Sequence, residues 1–224
     1  MLAQPAQALT DLLLGLVVAT LAVRLHRRGN ISRPWQSAFG WTAAAALAGS
    51  VHHAVLVRWT RWGSFSWAVI TVMIVIAVSY LLAGTVVEVL GSGHARTFWL
   101  LRSVGLVAYV VLAFTGHAGV ASMMSCEGLT MTSVLVLWCW ATYRHHPLGW
   151  PVLLAIAASG AAGATQALSP SVTHWIDLDP TSTYHLAQVV GMAVLYWALT
   201  RPRTGDALSG GRHTGEQGPA VQAG

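Results

Sequence analysis

Residues 66–90 read SWAVITVMIVIAVSYLLAGTVVEVL, an apolar run of 25 residues broken by a single charged side chain, Glu88. A helix rises 1.5 Å per residue and needs about 20 apolar residues to cross roughly 30 Å of hydrocarbon. This run is therefore long enough to span a bilayer. Outward from it, comparable stretches lie at 8–26, 36–57, 98–117, 120–142, 150–168 and 182–200, making seven. The fold class expected is all-α, a seven-transmembrane helix bundle. Composition agrees, since 8 % of the 224 residues are charged and 55 % hydrophobic, with a mean hydropathy of +0.60. A water-soluble domain carries about a quarter charged residues and is excluded. The net charge of +5 comes from arginines placed between the apolar runs, which argues against nucleic-acid binding. The chain contains no lysine, so it cannot form a retinal Schiff base, and it has no Gly-rich phosphate loop after a strand. Cys126 and Cys139 sit inside an apolar stretch and read as small core residues.

The fourth and fifth stretches are separated only by Gly116-His117-Ala118-Gly119, which reads as a tight hairpin because one continuous helix would overshoot the bilayer. No Lys or Arg precedes Arg24, so the first stretch lacks the basic region of a cleaved signal peptide and is taken as a retained span. Orientation follows from the arginines, which remain on the cytoplasmic side of short loops. With the N-terminus outside and the C-terminus inside, ten of the 12 basic residues fall inside, and only Arg58 and Arg61 fall outside. The expected organisation is a membrane domain over 1–201 in the cytoplasmic membrane, followed by a Gly/Pro-rich, disordered cytoplasmic tail over 202–224. The sixth stretch, nearly all Ala, Gly and Ser around Ser159, Gly160 and Gly163, reads as a central packing helix.

Ionisable groups inside a span cost about 2.5–3.5 kcal/mol each and call for a partner or a purpose. In the orientation above, Asp11, Ser50, His52, His53, His117, Glu127, Gln166, Tyr184, His185 and Gln188 all fall in one layer near the outer face. Glu88 lies at the opposite end. Convergence from at least five helices implies a polar cavity that opens outward. Ser50 and His53 share a helix face, and His52 lies about 100° away, so one of the two histidines faces the bundle centre. His53 is preferred, because it continues a small and polar stripe through Thr42, Ala46, Gly49 and Ser50. Asp179 before Pro180 reads as a helix N-cap, and His145 and His146 as solvated loop residues.

Two imidazoles with a third imidazole or a carboxylate form a zinc site when a fourth position stays open for water. His53 and His185, with one of His52, His117, Asp11 or Glu127, supply such a set. Ser50 would orient the water or hold an oxyanion, and a spare carboxylate, Asp11 or Glu127, would act as general base. The reaction this chemistry suits is hydrolysis of a lipid amide or ester. Haem held between facing histidines is the alternative from another class. Transport ranks lower, since the chain has no internal repeat and no pair of broken helices.

The stretches Ser50-Val51-His52-His53 and Thr181-Ser182-Thr183-Tyr184-His185-Leu186-Ala187-Gln188 resemble the second and seventh helices of the seven-pass superfamily that includes alkaline ceramidases and adiponectin receptors. Length, span count and the Tyr-His-x-x-Gln opening of the last helix also look like uncharacterised bacterial integral membrane proteins. The resemblance implies a seven-helix fold, a zinc cofactor, a membrane-lipid substrate, and a Ser on the second helix beside histidines on the second and seventh. The chain departs from the pattern in two places. The third span has no Asp at its outer end, and Thr181 and Val189 stand where a second histidine of the last helix would lie one turn from His185. A metal-free relative with a binding or structural role is the counterpart reading.

Overall fold

A computed structural model describes residues 2–115, 120–165 and 179–202, and these form α-helices joined by short turns, with no strand among them. The helices are α1 (Pro5–Arg28), α2 (Arg33–Ala54), α3 (Thr60–Leu90), α4 (Ala95–Phe114), α5 (Val120–Tyr143), α6 (Gly149–Thr165) and α7 (Pro180–Thr200). One helix falls on each apolar stretch read from the sequence. Of these, α1 and α3 are long and apolar enough to cross a membrane, with mean hydropathies of 1.9 and 2.4. In α2 and α7 the apolar run is diluted by the His, Ser, Thr and Gln residues that build the site below. His117, Gln166 and the tail over 203–224 lie outside the described residues.

Helix boundaries have local causes. Pro5, Pro34 and Pro180 occupy first-turn positions, where a missing N–H costs nothing. Helix α1 ends at Gly29, whose φ of 68° closes the turn through an N–H donated to His26 O. The sequence reading carries the second helix to residue 57, but α2 stops at Ala54 and the chain enters a short 3-10 turn at Leu56–Arg58. There the N–H groups of Ala3 and Gln4 donate to the carbonyls of Ala54 and His53, each at 3.0 Å. The N-terminal residues thus satisfy the end of α2.

Helix α1 packs on α2 and α7, α2 on α3, α3 on α5, α5 on α6, and α6 on α7. Among the described residues these six close a ring, and α4 lies outside it against α3. Trp35, Trp138, Phe39, Leu25, Leu148, Val18 and Val152 are buried inside the ring. Helix approach is set by small residues. A Cβ on Gly84 would fall 2.7 Å from Trp35 Cδ2, one on Gly15 would fall 2.7 Å from Leu47 Cδ2, and one on Gly191 would strike Ser159 Oγ. The buried Trp138 donates its indole N–H to Thr85 Oγ1 at 3.1 Å, which ties α5 to α3. Large apolar side chains elsewhere face outward, with Leu9, Val107, Leu129, Val136 and Val190 each more than half exposed.

Two expectations are corrected. Helix α6 is one member of the ring rather than a central element; its Ser159 meets Gly191, while Gly160 and Gly163 face open space. His145 is exposed, but His146 is half-buried, its ring 5.6 Å from that of Trp138 and its Nδ1 accepting from Leu148 N. At the same end of the bundle Arg28 donates to Thr200 O at 2.8 Å and Arg201 donates to Pro147 O. Cations there sit where helix C-terminal carbonyls carry partial negative charge.

Gly84→Ala is expected to lower the thermal midpoint of the purified protein in detergent, by the about 1–3 kcal/mol typical of overpacking. Gly160→Ala, which meets open space, is expected to leave the midpoint unchanged or raise it, by up to about 1 kcal/mol of helix propensity.

Candidate functional site

The N-terminal ends of α1 and α7 and the C-terminal end of α2 meet around one carboxylate. Asp11 on α1 is 5 % exposed and addresses a different imidazole with each oxygen. Its Oδ1 lies 3.2 Å from His185 Nδ1 on α7, and its Oδ2 lies 3.8 Å from His53 Nε2 on α2. Gly49, one turn before His53, makes room for it, since a Cβ there would fall 2.5 Å from Asp11 Oδ2. The small stripe on α2 is therefore a seat for the carboxylate of α1.

Partners on the far side of each ring fix its tautomer. His53 Nδ1 lies 2.6 Å from Gln4 Oε1, an amide oxygen that can only accept, so Nδ1 carries the proton. His53 Nε2 is then left with a lone pair facing Asp11. On α7, His185 Nδ1 lies 3.3 Å from Thr10 Oγ1, whose own hydrogen goes to the carbonyls of Ala6 and Gln7. Both Thr10 and Asp11 therefore accept from His185 Nδ1, and His185 Nε2 keeps its lone pair. Both imidazoles are held by protein at Nδ1 and present Nε2, which is how second-shell partners orient metal-ligating histidines.

Asp179 anchors the start of α7. Its side chain accepts from Thr181 N and Ser182 N at 3.0 Å and from Ser182 Oγ at 2.6 Å, the N-cap read from the sequence. Gln7 Nε2 adds a fourth bond at 3.3 Å and links the cap to α1. Burial would push the Asp179 carboxyl up, but the hydrogen bonds from Ser182, Gln7 and Thr181 outweigh it and hold the group below the usual carboxylate range.

The remaining candidate residues are placed as follows. His52 is buried but points away from Asp11, with Nδ1 2.7 Å from Ser66 Oγ on α3 and its ring 5.7 Å from that of Trp67. Ser50 is half-buried and makes no hydrogen bond to Asp11, His53 or His185. Glu127 on α5 is half-buried. His117 lies outside the described residues. Among the described residues no group of three or more His, Cys, Asp or Glu side chains is placed to hold a metal ion. Sequence reasoning missed Gln4, Gln7, Thr10 and Ser66. The first two were open to view, because Gln4, Gln7 and Asp11 recur at helical spacing and form a polar stripe on an otherwise apolar helix.

Gly49→Ala is expected to displace the Asp11 carboxylate and lower the thermal midpoint more than Gly40→Ala on the same helix, whose Cβ meets open space. Asp179→Ala is expected to cost about 1 kcal/mol through loss of the cap. Because the native carboxyl titrates below its unfolded value of about 3.9, that contribution is complete above about pH 5. It declines as pH falls through the native value, so melting curves of the two proteins should converge in acid.

A family profile described as a family of unknown function (DUF6962) matches residues 6–204. No curated protein and no solved structure matches the chain. The match takes in α2 to α7, all of α1 beyond Pro5, and each of Asp11, His53 and His185, so the chain belongs to the family of unknown function DUF6962.

Proposed function

We propose that the chain is a multi-pass protein of the cytoplasmic membrane, N-terminus outside and C-terminus inside, that hydrolyses lipid amide or ester bonds with zinc at the cluster of Asp11, His53 and His185. The observation that carries the reading is that both imidazoles are held at Nδ1 by protein acceptors and keep the Nε2 lone pair for a ligand. Seven-fold spanning is supported by seven helices on seven apolar runs, by outward-facing apolar side chains, and by arginines gathered at one end of the bundle. The lipid substrate and the zinc come from the resemblance to the alkaline ceramidase and adiponectin-receptor superfamily.

Imidazole nitrogens are donors of a kind that suits zinc. His53 and His185 would hold the ion through Nε2 and His117 would complete the set, while Asp11, bonded to His185 Nδ1, would orient that ring from outside the ligand sphere. Zinc, when bound, brings the pKa of a coordinated water to about 7 and supplies a nucleophile at neutral pH. The chain's own residues do the rest. Gln4 and Thr10 fix the two rings, Gly49 leaves space for Asp11, and Asp11 takes the Nδ1 proton side of His185. Glu127 and Ser50 are assigned the general base and the water- or oxyanion-binding group. His52, bonded to Ser66, acts from outside the centre. A second reading, a metal-free binding or structural protein of the same fold, draws on the fact that no complete ligand group is assembled among the described residues.

Elemental analysis of protein purified without chelators separates the two. About one zinc per chain is expected, lost in His53→Ala and His185→Ala and kept in His145→Ala. Gln4→Ala should weaken zinc binding by about 10–100-fold, the usual effect of removing a second-shell partner. A folded parent without zinc would eliminate the hydrolase reading and favour the metal-free one, and stoichiometric iron with a haem spectrum would overturn both.

A further inference from the structure

The outer surfaces of α1 and α7 follow one pattern. Along α1 the exposed apolar side chains Leu13, Leu16 and Val23 recur at helical spacing, and the exposed Thr20 among them returns its hydroxyl to Leu16 O at 2.8 Å. From Leu13 to Val23 the helix rises about 15 Å, half of the roughly 30 Å of bilayer hydrocarbon and so the depth of one leaflet. The stripe then ends in three exposed arginines, with Arg24 placed three and four residues before Arg27 and Arg28 on the same face. Beside it, α7 exposes Val190, Ala193 and Trp197 and ends in Arg201, whose guanidinium lies 5.8 Å from the centroid of the Trp197 ring. The two helices pack side by side and finish together. Arg28 donates to Thr200 O at 2.8 Å and lies 5.9 Å from the centroid of the Tyr196 ring.

Two apolar stripes, each closed by arginine at the same end, thus flank the seam between α1 and α7. Its charge is one-sided. Helix α1 has no carboxylate beyond Asp11, which lies toward the opposite end, and α7 has none. Arg28 and Arg201 are bonded to the carbonyls of Thr200 and Pro147, whereas Arg24 and Arg27 make no hydrogen bond or ion pair among the described residues. Four guanidinium charges exceed the partial negative charge of two helix C-termini, about half a unit each. An amphiphile with an anionic head matches both parts of this surface. We propose that the seam holds an anionic phospholipid of the inner leaflet, its phosphate between the arginines of α1 and Arg201, its chains along the two stripes. Trp197 lies at the level of the headgroup, where amphipathic rings are favoured. This lipid is a bound partner and is distinct from a substrate, because Asp11, His53 and His185 meet at the other end of the same helices. The inference rests on the membrane-spanning reading above and requires neither zinc nor hydrolysis.

Phosphatidylglycerol and phosphatidylcholine with the same acyl chains serve as probes, titrated into the full chain in a neutral detergent while the thermal midpoint is followed. A ligand that binds only the folded state raises the midpoint, and phosphatidylglycerol is expected to do so saturably while phosphatidylcholine does not. Arg24→Gln combined with Arg27→Gln should weaken the apparent affinity about 25-fold, about fivefold for each charge removed near a lipid headgroup. Arg96→Gln combined with Arg144→Gln removes as many charges from the same end of the bundle, at α4 and α5, and should change the affinity by less than about twofold. Equal loss in the two double variants means a diffuse field with no site at this seam and overturns the proposal. An equal response to the two lipids, or a matching shift by inorganic phosphate alone, overturns it as well. Carbonate extraction of membranes tests the membrane-spanning reading separately. A chain released by carbonate overturns that reading and the proposal together, whereas a chain retained in the membrane but without preference for phosphatidylglycerol overturns the proposal alone.

Discussion

A carboxylate buried between two imidazoles holds the architecture of one end of this molecule. Removed from water, Asp11 must be compensated by hydrogen-bond donors or cations. The donor available is His185 Nδ1–H from α7, while His53 Nε2 on α2 faces the other carboxylate oxygen at 3.8 Å. Each ring is braced in turn from α1, by Gln4 and Thr10. The consequence is mechanical as well as chemical: α1 is clamped between α2 and α7, and the ring of six helices is closed at that junction. Removing the donor from a buried carboxylate leaves it unsatisfied, which costs more than loss of a solvated surface contact. Ancillary features make sense on this view. Gly49 lacks a side chain where the carboxylate sits, the first residues of the chain satisfy the last carbonyls of α2, and Gln7 ties α1 to the N-cap of α7.

The helices were legible because the signal is additive over some 20 residues: apolar runs bounded by Gly, Pro and Arg need no knowledge of their neighbours. The N-cap at Asp179 was legible for the same local reason. That Asp11, His53 and His185 come to one end of the bundle followed from counting along helices of alternating direction. Rotation about the helix axis was harder. His52 and His53 differ by about 100°, and only the small stripe through Gly49 and Ser50 pointed to the face on which α1 packs. That Gly49 seats a carboxylate, that Gln4 reaches His53, and that His52 turns to Ser66 depend on how two helices meet, which no periodicity encodes. The same blindness explains α6. A run of small residues permits close approach on every side, and the partner chosen, Gly191 at Ser159, is decided by α7.

Two polar devices thus sit in an otherwise apolar bundle, and they differ in kind. At the end of the ring, donors and acceptors are matched to leave two nitrogen lone pairs on offer, a preorganised arrangement held by side chains on rigid helices. In its middle, the buried Trp35 indole N–H is left without an acceptor. The first is suited to a cation or a proton. Large apolar side chains face outward around the bundle, and α1 and α3 are long and apolar enough to cross a membrane.

The claim on which the account rests is the protonation pattern of the two imidazoles, and nitrogen-15 NMR of histidine-labelled protein, assigned with His53→Gln and His185→Gln, reads it directly. The account predicts that at neutral pH both rings carry their proton on Nδ1, with Nε2 either a bare lone pair or shifted as a metal ligand. A proton on Nε2 of either ring, with Nδ1 bare, would contradict it.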